Sequence, residues 1–334
     1  MKYQEQLLAI LEENRGTYLS GEMLARRLFV SRNTVWKTVK SLQAQGYPID
    51  AVTNKGYALA EDSDILSAPA IEAKLRHKGR LHISVEPLVT STNTVLKAQA
   101  AEGAPEGTLL VALEQSAGKG RLGRSFSSPR RSGIYMSLLL RPKMAAKDAL
   151  MLTTAIAAAA AETLRELTGF LVGVKWVNDL YLNGKKLCGI LTEAALDFES
   201  QGLEYAVVGI GINLEEPAGG FDESIRDVAG ALFAAGETPV GFRARLIAGI
   251  FDRFLDYYDR LDEKPFLNAY RELSCILGKP VRVIDNIYDP GSSRDAEALA
   301  IDDDCRLLVR FADGHEEALS SGEVSLKILQ GSFS

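Results

Sequence analysis

Apolar residues recur along this chain in rhythms that change, and the changes mark out its parts. Over the first sixty residues the spacing is helical. Leu7, Leu8, Ile10 and Leu11 repeat at three- to four-residue intervals, and Gly16 stops the run. Ser20 predicts the cap of a second helix reaching Leu28, and Ser31 that of a third ending near Gln45 with Gly46 as its stop. In the third, Val35, Val39 and Leu42 share one face, while Arg32, Trp36 and Lys40, joined by Asn33 and Lys37, share another. Two short runs, Ile49–Val52 and Tyr57–Leu59, then flank Thr53-Asn54-Lys55-Gly56, a hairpin with a basic tip.

After the acidic, apolar-free stretch Glu61-Asp62-Ser63-Asp64 the pattern alternates between strand and helix. It predicts a short helix over 65–77, a strand over 81–88, and a helix opened by Thr90-Ser91-Thr92-Asn93 and reaching Ala101. Strands follow at Leu109–Leu113 and Ile134–Leu140, then an Ala-rich helix over Lys147–Thr168 stopped by Gly169. Leu171–Trp176 is a strand. Asn183-Gly184 sits between two apolar-rich runs, the strongest short hairpin signal, and the second arm runs from Lys185 to Thr192. Strict alternation along that arm places Lys186, Cys188 and Ile190 on one face and Leu187, Gly189 and Leu191 on the other. Ala206–Asn213 is a further strand, and helices are predicted over Phe221–Leu232 and Phe242–Leu261. From Pro280 the rhythm shortens. Pro280–Asp285, Ala296–Asp302, Arg306–Phe311, Glu316–Leu319 and Val324–Leu329 read as strands between Gly/Asp turns, a small β-barrel.

Charge refines the first part. Residues 1–60 carry 8 Lys+Arg against 5 Asp+Glu, a balance of +3 in a chain of net charge −6, so the remainder carries −9. Helix, tight turn, basic helix and hairpin together read as a winged helix-turn-helix. Its third helix would enter a major groove through Ser31, Arg32, Asn33, Thr34, Trp36, Lys37 and Lys40, with Lys55 on a phosphate. The competing reading is a three-helix docking domain with a solvated basic face. A +3 patch binds duplex weakly alone, so two half-sites and a dimer are expected. Composition excludes other classes. With 46% hydrophobic and 25% charged residues in 334, the chain is an ordinary globular protein of two or three domains. Three scattered cysteines (Cys188, Cys275, Cys305) form neither a zinc motif nor a disulfide framework, and the N-terminus reads as no signal peptide. The apolar run Leu150–Ala161 falls short of the ~18 residues of a membrane span. A cytoplasmic location is expected.

The candidate chemistry lies in the middle of the chain. Gly118-Lys119-Gly120-Arg121-Leu122-Gly123-Arg124 packs three glycines and three cations into seven residues. Exposed amides in such a bend form an anion trap, and the side chains add full charges. It lacks the Gly-Lys-Ser/Thr ending of a P-loop; Ser125 follows Arg124. Read alone, the stretch is better taken as a solvated basic turn, since basic loops are common; its surroundings give it meaning. Ser91, Thr92 and Asn93 either cap a helix or offer hydrogen bonds to a small polar ligand. The hairpin brings Asp179 near Lys186, and the alternation Gly209-Ile210-Gly211-Ile212-Asn213 admits a ligand or a neighbouring backbone. Cys188 reads as a buried small hydrophobe.

These pieces in order, Ser91-Thr92-Asn93, Gln115, the Gly118–Arg124 loop, Lys175-Trp176-Val177-Asn178-Asp179, Lys186-Leu187-Cys188-Gly189-Ile190-Leu191 and Gly209–Asn213, resemble the biotin protein ligases. With the N-terminal module they resemble the bifunctional form, a ligase that is also a biotin operon repressor. The departures are Lys119 where arginine is usual, Phe126 where tryptophan is usual, and Val177 where proline is usual, which leaves the turn before Asn178 less constrained. The resemblance implies a winged helix-turn-helix over 1–62, an α/β (α+β) catalytic core with a mixed sheet over 65–272, and an SH3-like β-barrel over 277–330. It implies biotin and ATP as substrates with Mg²⁺, biotinyl-5′-AMP as intermediate and corepressor, and transfer to a lysine of the biotin carboxyl carrier domain of carboxylases. Biotin operator DNA and a homodimer on it complete the implied partners.

By the same resemblance, Lys186, Arg121, Arg124 and Asp179 are catalytic. Ser91, Thr92, Asn93, Gln115, Gly118, Lys119, Gly120, Gly189, Gly209 and Gly211 hold biotin or adenylate with Arg121 and Lys186. Lys175, Asn178 and Asn213 join Arg121 and Arg124 around ATP. No dedicated metal ligands are implied beyond the Mg²⁺ that accompanies ATP. The alternatives are a lipoate ligase or octanoyltransferase, some of which use a cysteine nucleophile and would give Cys188 a role, and a non-catalytic biotin sensor.

Overall fold

The computed structural model describes residues 2–197, 202–284, 292–320 and 323–326. The first helices, α1 (Lys2–Glu13), α2 (Gly21–Leu28) and α3 (Arg32–Ala44), close around a core of their own that includes Leu7, Leu11, Leu24, Val35, Val39 and Leu59. Ser20 and Ser31 cap α2 and α3 through bonds from Met23 N and Thr34 N, both 3.1 Å. The predicted stripe of α3 holds: Val35, Val39 and Leu42 are buried, and Arg32, Trp36 and Lys40 lie outside. β1 (Ile49–Val52) and β2 (Gly56–Leu59) pair antiparallel as the wing. At its tip the Lys55 ammonium stands 5.8 Å from the Tyr18 ring centroid. Arg15 ties this module to the next by donating to the Ser63 carbonyl at 2.7 Å.

The middle of the chain gives α4 (Ala68–Glu72), β3 (His82–Glu86), α5 (Thr92–Ala101), β4 (Thr108–Ala112), β5 (Gly133–Leu140), α6 (Leu150–Thr168), β6 (Gly173–Lys175), β7 (Asp179–Leu182), β8 (Lys185–Asp197), β9 (Gly202–Asn213), α7 (Phe242–Tyr258) and α8 (Leu267–Glu272). The strands form one mixed seven-stranded sheet in the order β3-β4-β5-β9-β8-β7-β6, with only β3 and β4 parallel. One face is covered by α6 and α7. The run Ala155–Ala161 is wholly buried, and its small side chains let α6 sit close to both sheet and α7. The other face carries α5 over a smaller cluster of Leu96, Ala100, Leu110, Leu139 and Val207. That second face also carries the site.

Two expected helices change. The one over 65–77 shortens to α4, because the backbone amides of Arg76 and His77 donate to the Asp252 carboxylate of α7 at 2.8–3.0 Å. In a continuing helix they would reach carbonyls four residues back. No helix forms over Phe221–Leu232. That segment turns, then ties itself to β8 by Lys186 N to Val228 O at 2.7 Å and Gly230 N to Lys186 O at 2.9 Å. The ties are made by the backbone, and the Val228 side chain itself is exposed.

Next, β10 (Pro280–Ile284), β11 (Ser293–Ile301), β12 (Leu307–Phe311), β13 (Glu316–Leu319) and β14 (Glu323–Leu326) form an antiparallel sheet in the order β13-β12-β11-β10-β14. Among the described residues β13 and β14 stand at opposite edges without pairing, so the expected closed barrel appears here as a five-stranded sheet. Asp285 and residues 327–329 of the expected strands lie outside the described residues. The apolar core runs unbroken from the central sheet into Val281, Val309 and Val324. The Trp176 indole donates to the Cys305 carbonyl across that junction at 3.0 Å.

Candidate active site

The β7–β8 hairpin turns through Asn183 (φ 51°) and Gly184 (φ 78°), the two left-handed positions that Asn-Gly supplies cheaply. It then breaks the alternation predicted for β8. Leu180 pairs with Cys188 but Tyr181 pairs with Lys186, so Leu187 is a bulge residue. Leu187 and Cys188 both point into the core, fully buried. Lys186 therefore joins Gly189 on the site face: a Cβ at Gly189 would stand 3.3 Å from Lys186 Cε. The bulge aims the Lys186 ammonium at Asp179, 2.7 Å away across the hairpin. Burial pushes the Cys188 thiol far above its ordinary range, which denies it a nucleophile's part.

The turn before Asn178 is firmly held despite Val177. The Tyr270 hydroxyl donates to the Val177 carbonyl at 2.9 Å, and Asn178 exchanges bonds with Ile190, Nδ2 to O at 2.8 Å and O from N at 2.9 Å. The Asn178 side-chain oxygen then accepts from Arg121 at 3.0 Å, which hooks the basic loop to the hairpin. The loop is a narrow bend closed by Gly120 N to Arg124 O at 2.7 Å and Phe126 N to Gly118 O at 2.9 Å. Gly118 is there for space, since a Cβ would meet the Phe126 carbonyl at 2.3 Å.

Phe126 was not singled out by sequence pattern as a site residue, yet its ring lies on the floor left open by two glycines. A Cβ at Gly211 would be 2.5 Å from its Cε1, and one at Gly189 3.3 Å from its Cε2. With the ring in that place the cavity measures about 130 Å³, below the ~300 Å³ at which small-molecule pockets begin.

Opposite the hairpin lies the start of α5. Ser91 precedes it with no side-chain capping bond, so its hydroxyl is not spent on the helix. Thr92 N and Oγ1 both donate to Gln115 Oε1, at 2.8 and 3.2 Å, and Gln115 Nε2 donates to Ser128 at 2.8 Å. Below them Ser137, fully buried on β5, lies 2.6 Å from both Thr92 Oγ1 and Asn93 Oδ1. Asn93 Nδ2 donates to the Leu191 carbonyl at 3.1 Å and to Glu193 at 2.9 Å, and Glu193 pairs with Lys97. Gly209 makes room for this amide; a Cβ there would sit 2.1 Å from Asn93 Oδ1. Burial works against the Glu193 charge, but the bonds from Lys97 and Asn93 outweigh it and hold the carboxyl below its ordinary 4.5. Ser137 and Glu193 carry no motif signal; only register places them.

The cavity wall thus gathers Ser91, Thr92, Asn93, Gln115, Lys119, Gly120, Arg121, Arg124, Lys175, Asn178, Asp179, Lys186, Gly189, Gly209 and Gly211. Two named residues stand off it. Gly118 shapes the loop from outside the lining, and the Asn213 amide donates to the Gly230 carbonyl at 3.0 Å. Lys175 stands 5.3 Å from the Tyr181 ring centroid. Apart from this site, Arg32, Asn33, Trp36 and Lys55 line an open groove of about 710 Å³ between α3 and the wing. Ser31 and Thr34 are joined to each other at the α3 cap, and Lys37 and Lys40 lie outside that groove's lining.

Comparison with known proteins agrees with this division. Residues 85–213 match the Biotin/lipoate A/B protein ligase family, 4–58 an HTH domain, and 276–327 the Biotin protein ligase C terminal domain. The Escherichia coli K12 bifunctional ligase/repressor BirA is 31% identical over 328 residues, spanning 96% of this chain and 96% of that one. The Mycobacterium tuberculosis biotin--[acetyl-CoA-carboxylase] ligase is 31% identical over 286 residues, spanning 79% and 98%. Among solved structures, the Aquifex aeolicus biotin protein ligase in complex with biotin and ATP superposes with a TM-score of 0.59 at 26% identity, covering 74% of this chain and 98% of that one. On this full-length similarity, the chain belongs to the bifunctional ligase/repressor family of biotin protein ligases.

Proposed function

We propose that this chain activates biotin with ATP to biotinyl-5′-AMP and pyrophosphate. It then passes the biotinyl group to a lysine of a biotin carboxyl carrier domain. The observation that carries this is the cavity in which Lys186, Arg121, Arg124 and Lys119 converge on a glycine floor. In the first step a carboxylate oxygen of biotin attacks the α-phosphorus, and the bond to the leaving pyrophosphate breaks. Two like charges meet, and at ~4 Å they repel by about 4 kcal/mol at an effective dielectric near 20. Lys186 sits where its ammonium offsets that repulsion, and it helps more as charge develops. Asp179 holds the ammonium in place until the reactants arrive. Arg121 and Arg124 take the phosphates, and Asp179, the carboxylate in the cavity wall, would help hold the Mg²⁺ that accompanies ATP, which would share the triphosphate charge.

In the second step the acceptor amine attacks the acyl carbon, and AMP leaves. Ser91, Thr92 and Gln115 offer hydrogen bonds to the ureido ring, while Asn93 positions β8 beneath them. The Phe126 ring must lift from Gly211 to admit the reactants, and the loop then closes over the anhydride and keeps water away. Ordering the loop is also our reading of how adenylate acts as corepressor, by building a homodimer that spans two operator half-sites. The five-stranded C-terminal sheet is read as the SH3-like barrel, and the domains as 1–62, 65–272 and 277–330. The alternative built on a cysteine nucleophile loses its residue, since Cys188 faces the core.

The test is biotin-dependent pyrophosphate release from ATP, with label transfer to a carboxylase carrier domain. Both are expected. Sedimentation with and without biotin plus ATP should show tighter self-association when loaded. Equal association constants would remove the corepressor link.

A further inference from the structure

The turn between α2 and α3 holds a residue at odds with its surroundings. Phe29 ends α2 in the left-handed region, at φ 54° and ψ 42°. Its amide donates to Arg26 O at 3.3 Å, and Val30 N reaches back to Ala25 O at 3.0 Å. This is a helix stop that glycine fills without cost and that a large side chain fills with strain. The ring gains no packing in return, being 95% exposed, more than any other large apolar side chain among the described residues. Leu28 before it is buried and Val30 after it packs on the module's core, so the backbone is fixed and the ring projects outward. Its neighbours in sequence, Arg27 and Arg32, are exposed and make no ion pair among the described residues. Two residues beyond Phe29, Ser31 caps α3, whose first turn carries Arg32 and Asn33 into the groove beside the wing.

We infer that Phe29 is a sequence-reading contact for duplex DNA, its ring meeting a thymine C5-methyl at the edge of the major groove that α3 enters. This rests on the DNA-binding reading above. An exposed apolar ring flanked in sequence by two exposed cations suits that partner. Phosphates take Arg27 and Arg32, and thymine is the base that offers an apolar group in the major groove. The position thus gives up backbone ease for recognition.

The test uses the full chain with biotin and ATP. Wild type selects duplexes from a random pool, and binding is measured by fluorescence anisotropy against wild type and Phe29→Gly. The variant should melt no lower than wild type, because the left-handed strain is relieved. It should bind the selected duplex about five- to ten-fold more weakly, the scale of one lost base contact, with its salt dependence unchanged. Replacing thymines one at a time by uracil removes the methyl. At one position this should weaken wild type by the same factor and leave Phe29→Gly unaffected. Equal binding by the two proteins, or uracil effects identical in both, overturns the inference while leaving DNA binding intact. Failure of wild type to select any duplex overturns the DNA reading and this inference together.

Discussion

At the scale of single residues, glycines set the site's shape as firmly as charges set its chemistry. Gly209 and Gly211 both face side chains too close for a Cβ, but the neighbours differ. Asn93 is pinned by Ser137, Leu191 and Glu193, whereas the Phe126 ring rides on the loop. Gly209→Ala should therefore lower stability by about 1–3 kcal/mol, the cost of overpacking a fixed neighbour, and Gly211→Ala by much less. Thermal melts of both variants check the order. Gly211→Ala should instead raise the Michaelis constant for biotin, since the methyl fills the pocket floor. The cations of the basic loop stood out by type and spacing, whereas Asp179 and Lys186 were singled out through the family resemblance; the cavity wall holds them together. Ser137 was not found, because a lone serine in an apolar strand carries no signal until β5 is placed in register beneath α5.

At the scale of elements, the decisive feature is the bulge at Leu187. Without it, alternation would put Lys186 with Cys188 in the core and leave Asp179 without its partner. A period-two reading has no means to detect an inserted residue, which shows only when Leu180 and Tyr181 are matched to their partners. The same limit explains the lost helix over 221–232, whose backbone bonds to Lys186 of β8 are a long-range feature that local spacing does not carry. Strand and hairpin positions in the central sheet were otherwise legible, because Asn-Gly and long apolar runs are local signals. The link between α5 and β8 has a pH signature. The Glu193 carboxyl titrates below 4.5 in the folded chain. Its contribution to stability is fully present above the unfolded value and is lost as pH falls through the folded one. Glu193→Gln should melt below wild type at neutral pH, and the gap should narrow as pH drops below 4.5. A gap independent of pH would mean that the charge contributes nothing there.

At the scale of the whole molecule, a small basic module is joined to an acidic catalytic body by a tethered linker. Asp64 accepts from Gly241 N at 2.8 Å and pairs with Arg243 at 2.8 Å, and Arg243 also donates to the Arg131 carbonyl at 2.8 Å beside the loop that precedes β5. The linker is therefore anchored on the same body that holds the ligand site, the arrangement a ligand-governed repressor requires. Charge asymmetry along the sequence pointed to an anionic partner for the N-terminal part. The anchoring was not foretold, since it depends on residues nearly 180 positions apart. In the mechanism proposed here, one ammonium and one loop neutralise biotin's carboxylate as it meets ATP. The most direct test of this mechanism is adenylate formation by Lys186→Ala, followed as biotin-dependent pyrophosphate release. A fall on the order of 100-fold is expected, the scale of removing one preplaced group that stabilises developing charge, with the melting temperature little changed. Release at the wild-type rate by a folded Lys186→Ala would contradict it.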